Sequence, residues 1–450
     1  MISLMPRVLE IQNITYSWDE GYYASLGTTL FGRLVTTGSL PSLAEFEPLR
    51  KITGPGIQGI LVSTLIGMIG YAVGVRNFQS IPTNNSGWTL PPLSYLFAGR
   101  ALTAVFAAMS VFLIFLIVKR TADTLSGVIA AILFSFHPYY LLLSTWIMLD
   151  AYMIFFCLVA IFSLLRFDST GSTKWLAASA VFWGLSFSSK ICGTSIALFL
   201  ACTAWYLTLG KGDHRLKNVL VYLLTAAAIF LITYPYIWFH PFEVTASNLQ
   251  WGSSRISLSY LFLHLSPWSE FGVMGGHNYP ELVLMGIAGL VVGYRVVRNR
   301  ISRIGWLFVT IFVFSVATFF FFEWSRTWAR MNISDSLVVC VCLAPASGTA
   351  THYWPKVTHS MLPGFMLGLS VLSAVESLDT FLEHGWYASA LSSGIVFGIQ
   401  GSTLLMSVTY SFFLFSFLML GGAFCLVALP RSLRSIARRR SGALILSDGT

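Results

Sequence analysis

Long apolar runs separated by short polar breaks dominate this chain. Apolar segments of about 15–25 residues recur near 98–118, 124–146, 149–166, 175–190, 191–210, 218–238, 281–297, 304–323, 335–349, 358–376 and 395–428, a length that lets one helix cross the hydrocarbon of a bilayer. The pattern predicts an all-α polytopic membrane protein with about 11 transmembrane helices. A Gly-rich stretch, 55–75, is apolar but ambiguous. If it crossed, residues 1–54, with four basic and five acidic residues, would be cytoplasmic. That balance is not a cytoplasmic signature, so the stretch is expected to skim or re-enter the membrane.

The polar breaks carry an orientation. With eleven spans, the loops holding Lys119/Arg120, Arg166/Lys174, Lys211/Arg215/Lys217, Arg295 to Arg303, Lys356 and the tail Arg431 to Arg440 fall on one side. That side holds 17 of the 27 Lys and Arg but four of the 18 acids, a balance of +13 against −4 opposite. The positive-inside rule makes it cytoplasmic, with the C-terminus inside and the N-terminus outside. The organisation expected is a first extracytoplasmic loop over 1–97, a transmembrane core over 98–238, a second long outer loop over 239–280, C-terminal helices over 281–430 and a basic cytoplasmic tail over 431–450.

Composition agrees. The 450 residues are 56% hydrophobic and 10% charged, where a soluble domain carries about 25% charged residues. The net charge of +9 belongs to the inner loops, which argues against nucleic acid as a partner. Cys157, Cys192, Cys202, Cys340, Cys342 and Cys425 all lie in apolar stretches without a CxxC pair, so buried, inert thiols are expected. Residues 1–20 lack the continuous apolar core of a cleavable signal peptide.

The candidate chemistry lies on the outer side. Asp19-Glu20, in SWDEGYY beside Tyr22 and Tyr23, offers two carboxylates just above the bilayer. One can serve as general base for a hydroxyl or as a metal ligand; the plain alternative is an exposed acidic turn. Asp150 opens an apolar helix, where an acid either caps the helix or binds substrate. Lys190, between two apolar segments, needs an anion: a substrate phosphate, Asp150 or a lipid headgroup, or else it snorkels. Arg100 is a boundary cation facing the same side. His240, His264 and His277 share the second long loop, but their spacing fits no compact metal motif. Arg326 and Arg330 have Glu323 and Asp335 nearby as partners, and His352-Tyr353 sits in a Pro- and Gly-broken segment on the other face.

Taken in order, these segments resemble the membrane glycosyltransferases of the GT-C class, nearest the protein O-mannosyltransferase and aminoarabinose-transferase superfamily. The resemblance rests on Asp19-Glu20 with Tyr22 or Tyr23, Arg100 in GRALTAV, His137-Pro138 followed by Asp150-Ala151, and Gly184, Leu185 and Lys190 in GLSFSSK. It continues through Tyr234-Pro235, His240-Pro241 and His352-Tyr353 with Pro355 and Pro363, and covers roughly residues 15–375. It implies a GT-C bundle whose outer loops form the active site. The implied reaction moves one sugar from a polyprenyl phosphate to a hydroxyl of protein Ser/Thr, lipid or envelope glycan, with inversion. In that reading Asp19 is the catalytic base, Lys190, Arg100 and Asp150 hold the donor phosphate region, and Glu20, Tyr22, Tyr23 and His240 support the site. Glu20 is the candidate ligand should a divalent metal take part; members of the class differ in metal use.

The chain departs from the pattern in two places. Members of the class carry a transmembrane helix ahead of the Asp-Glu loop, whereas MISLMPRVLEIQNITYS is not a span. Thr53-Gly54-Pro55-Gly56 stands where a His-Pro-Pro-like segment is usual. The competing readings are a secondary transporter, which would show related halves and midplane ionisable residues, and an inactive scaffold derived from such an enzyme.

Overall fold

The computed structural model describes residues 20–42, 59–79, 82–83, 87–88, 91–121, 124–135, 140, 144–190, 193–209 and 215–239, with Leu4, Arg7, Phe242, Trp306, Leu307, Thr310, Ile311 and Phe314. The expected span 281–297 and those beyond 304–323, the second long loop, the basic tail, and Asp19, His240, His264, His277, Arg326, Arg330, His352 and Tyr353 lie outside the described residues.

Nine described helices and one two-stranded ribbon follow in order: α1 (Glu20–Thr37), α2 (Ile60–Ala72), β1 (Pro82–Thr83) and β2 (Gly87–Trp88), then α3 (Leu93–Thr121), α4 (Thr124–Ser135), α5 (Leu149–Thr170), α6 (Thr173–Ser189), α7 (Gly193–Leu209), α8 (Arg215–Thr233) and the single turn α9 (Tyr236–Phe239). The ribbon is antiparallel, pairing Pro82 with Trp88 and Thr83 with Gly87. Among the described residues, Leu93–Arg120, Leu149–Thr170 and Arg215–Thr233 are long and apolar enough to cross a membrane. α2, with 13 residues, reaches only about 20 Å, short of a bilayer's hydrocarbon thickness.

α5 is the centre of the bundle. It lies against α3 on one side and α6 on the other, while α4 packs on α3 and α8 on α6. Its Ala151, Ile154, Leu158, Ile161 and Leu165 are all under 5% exposed. α8 is the opposite case: Leu216, Leu220 and Leu224 form an exposed stripe at four-residue spacing, while Val219, Tyr222 and Ala226 turn inward. A one-sided apolar exposure of this kind suits contact with lipid.

Polar side chains inside the helices are satisfied locally, as a low-dielectric surrounding demands. Thr103 Oγ1 donates to Gly99 O at 3.1 Å, and Thr203 Oγ1 to Phe199 O at 2.8 Å. Others cross between helices: Ser179 Oγ donates to Ala160 O at 2.8 Å, and Thr103 shares a hydrogen bond with the Tyr152 hydroxyl at 3.0 Å.

Two local features set the shape. α5 ends at Gly171, whose left-handed φ of 69° lets its N–H close on Phe167 O at 2.7 Å, so that α6 starts two residues later and runs back along α5. α1 and α2 cross at Gly27 and Gly67; a Cβ on Gly67 would lie 2.0 Å from Gly27 O, so a side chain at that crossing would push the helices apart.

The structure departs from the sequence reading at the start of this region. Residues 20–37, expected within an outer loop, form α1. Of the run expected over 124–146, Thr124–Ser135 form α4.

Candidate active site

Three helices each carry a candidate site residue near one end and a basic residue near the other. α3 runs from Arg100 to Arg120, α5 from Asp150 to Arg166, and α6 back from Lys174 to Lys190. At 1.5 Å per residue these separations are about 24–30 Å, so the bundle has two polar ends one hydrocarbon thickness apart.

At the first end, Glu20 opens α1 and is fully buried. Arg100 grips it with both arms: Nε donates to Oε1 and Nη2 to Oε2, each at 2.8 Å. The Ile147 backbone N–H donates to Oε1 at 2.9 Å. A buried bidentate pair of this kind survives only when its remaining polar atoms are satisfied. Glu20 thereby ties together α1, α3 and the segment leading into α5. The donors on both of its oxygens make it an ion-paired anchor rather than an open metal ligand. Among the described residues, no group of three or more His, Cys, Asp or Glu is placed to hold a metal ion. Asp19 lies outside the described residues; its Cα is one peptide unit, about 3.8 Å, from that of the anchored Glu20.

Asp150 lies three residues beyond Ile147, in the first turn of α5. The N-cap position belongs to Met148, which makes no side-chain cap bond, so Asp150 is not the cap. Its Oδ1 instead accepts from Lys190 Nζ at 2.7 Å. Lys190 terminates α6 in an extended conformation, its N–H bonded to Ser186 O at 3.0 Å. The lysine side chain is 23% exposed and the aspartate 7%, so the ammonium is the accessible partner.

Arg100, expected at the donor phosphate, is 1% exposed and holds Glu20. Tyr22 is buried in an apolar cluster with Leu26, Leu30, Ile60, Tyr234 and Tyr236. Tyr23 is half-buried beside it, the two rings meeting edge to face at 5.2 Å. Tyr234, one of the late motif residues, is thus brought against the first-loop tyrosine. Below them Tyr236 donates its hydroxyl to Pro41 O at 2.7 Å, pinning the residues after α8 to those after α1.

Sequence reasoning missed Arg7. Its Nε donates to Ser144 Oγ at 2.6 Å and its Nη2 to Ser135 O at 3.0 Å. Its guanidinium stands 5.4 Å over the Tyr140 ring, and burial draws its pKa down to about 10. Arg7 therefore braces the same segment that Glu20 holds from the other side. Nothing in MISLMPRVLE marks it; the signal is tertiary.

Residues 94–239, about a third of the chain, match the family model described as dolichyl-phosphate-mannose-protein mannosyltransferase. That interval holds Arg100, Asp150 and Lys190. Among solved structures, ArnT from Cupriavidus metallidurans bound to undecaprenyl phosphate superposes with a TM-score of 0.50 at 14% identity, over 94% of this chain and 74% of that one. The Archaeoglobus fulgidus oligosaccharyltransferase tethered to an acceptor peptide gives 0.53 at 13% identity, over 87% and 54%. The chain has the fold of a GT-C glycosyltransferase. The resemblance read from the sequence holds in the matched segment and in the fold. The chain spans about half the length of the oligosaccharyltransferase. No curated protein sequence matches it.

Proposed function

We propose that the chain transfers a single sugar from a polyprenyl phosphate to a hydroxyl acceptor at the polar end that holds Glu20, Asp150 and Lys190, on the extracytoplasmic or lumenal side of the membrane. One observation carries the reading: two buried or half-buried ion pairs, Arg100–Glu20 and Lys190–Asp150, hang from one short segment, with Ile147 at one and Asp150 at the other. Three residues of chain reach at most about 11 Å, so the acid-base and phosphate chemistry lie within the compass of one substrate. The family match over 94–239 and the undecaprenyl phosphate in the ArnT structure support the donor class.

In this reading Asp19 takes the proton of the acceptor hydroxyl. The oxygen attacks the anomeric carbon from the face opposite the phosphate, the carbon–oxygen bond to the phosphate breaks, and configuration inverts. The electron pair leaves with the polyprenyl phosphate, whose growing charge Lys190 stabilises. Asp150 holds the ammonium in place until the phosphate arrives. Arg100 acts through Glu20, fixing the start of α1 and with it the residue before.

The test is purified protein in nanodiscs given labelled polyprenyl-phosphate sugars and hydroxyl acceptors. Label appearing on the acceptor, with release of polyprenyl phosphate, is expected. Label that moves across vesicle membranes without bond cleavage would replace this reading with transport, and no reaction with any donor would favour an inactive scaffold.

A further inference from the structure

The opposite end of the bundle carries four cations that the reaction does not use. Lys119 and Arg120 end α3, Arg166 lies in the last turns of α5 and Lys174 in the first turn of α6. Contacts between the helices hold the two arginines at this end: Arg120 Nη2 donates to Ser169 Oγ at 2.5 Å, and Arg166 stands 5.4 Å over the Phe162 ring and 5.9 Å over that of Trp175. The charge of Arg166 repels that of Arg120. No described carboxylate forms an ion pair with any of the four. Asp168, two residues from Arg166, is buried, and Asp123, three residues from Arg120, lies outside the described residues. The Nε of Arg166 has no hydrogen-bond partner.

Like charges held side by side, without an ion pair among the described residues, call for an anion, and the surroundings say which. α3 and α5 are long enough to span a membrane, so their ends lie at headgroup depth. Trp175 is 36% exposed beside Arg166, an aromatic where aromatics belong at an interface. The guanidinium of Arg166 stacks among these rings with its unpartnered Nε buried. We propose that Arg120, Arg166 and Lys174 form a binding site for the headgroup phosphate of an anionic phospholipid, at the membrane face opposite the proposed active site. The two guanidiniums bind the phosphodiester, and Trp175 lies against the glycerol and upper acyl region. This site is independent of the glycosyl-transfer reading.

The test is native mass spectrometry of the full chain in micelles titrated with phosphatidylglycerol or phosphatidylcholine. Retention of phosphatidylglycerol over phosphatidylcholine is expected. Each charge removed should weaken it by roughly five-fold, so Lys174→Gln loses about that factor and Arg120→Gln/Arg166→Gln about 25-fold. Lys174 is exposed, so its variant tests the site even if the double variant fails to fold. Arg120→Lys/Arg166→Lys should retain most of the binding. Equal retention of both lipids by wild type, or unchanged binding in Lys174→Gln, would overturn the proposal. So would competition by inorganic phosphate as effective as that by the lipid, because the anion would then come from solution.

Discussion

Replacing Arg100 with Met should destabilise the fold severely, and adding Glu20→Gln should rescue it. Arg100 is 1% and Glu20 0% exposed. In Arg100→Met the carboxylate stays buried without its cation, a loss of about 3–5 kcal/mol. Glu20→Gln alone strands the guanidinium at similar cost. In the double variant neither charge remains, and the Gln side-chain carbonyl still accepts the Ile147 N–H that Glu20 Oε1 accepts at 2.9 Å. Most of the loss should then be recovered, because removing both members of a buried pair is often near neutral. The assay is thermal unfolding with a thiol-reactive fluorophore, since Cys157 and Cys202 are free and buried and react only as the bundle opens. At two to four degrees per kcal/mol for chains of 150–250 residues, and less for a longer one, each single variant should fall by roughly 5–10 °C. Additive single losses in the double variant would refute the reasoning, showing that the two side chains do not act as a pair.

Gly67→Leu should force α1 from α2, because even a Cβ at 67 meets Gly27 O at 2.0 Å; a loss of about 1–3 kcal/mol is expected in the same unfolding assay. Lys190→Ala should raise the donor KM by about 10- to 100-fold, the worth of a charged hydrogen bond, and lower the melting temperature by less than Arg100→Met does, because the Asp150 it leaves unpaired is 7% exposed where Glu20 is 0%. Asp150→Asn should keep the fold, since one side-chain oxygen still accepts from Lys190, while raising the donor KM because the ammonium loses its ionic anchor; an unchanged KM would count against the pair's role.

The parts of the fold written in apolar run length were legible from the sequence. Expected segments 98–118, 149–166, 175–190 and 218–238 correspond to α3, α5, α6 and α8. α1 was not legible, because EGYYASLGTTLFGRLVTT mixes Gly, Thr and Tyr with its apolar residues and is helical through its contact with α2. The ion pairs were half legible. Asp150 was among the anions weighed for Lys190, and 40 residues separate them. The bond between Glu20 and Arg100 spans 80 residues and depends on where α1 docks, which no local pattern encodes. Arg7, reaching Ser144 across 137 residues, was invisible for the same reason.

The most direct test of the central claim compares wild type with Asp19→Asn, both in nanodiscs, for transfer of labelled sugar from a polyprenyl phosphate. A general base contributes about 10²–10⁴-fold, so Asp19→Asn should lose at least two orders of magnitude in kcat with its melting temperature and donor binding intact. Transfer by Asp19→Asn at the wild-type rate would contradict the account.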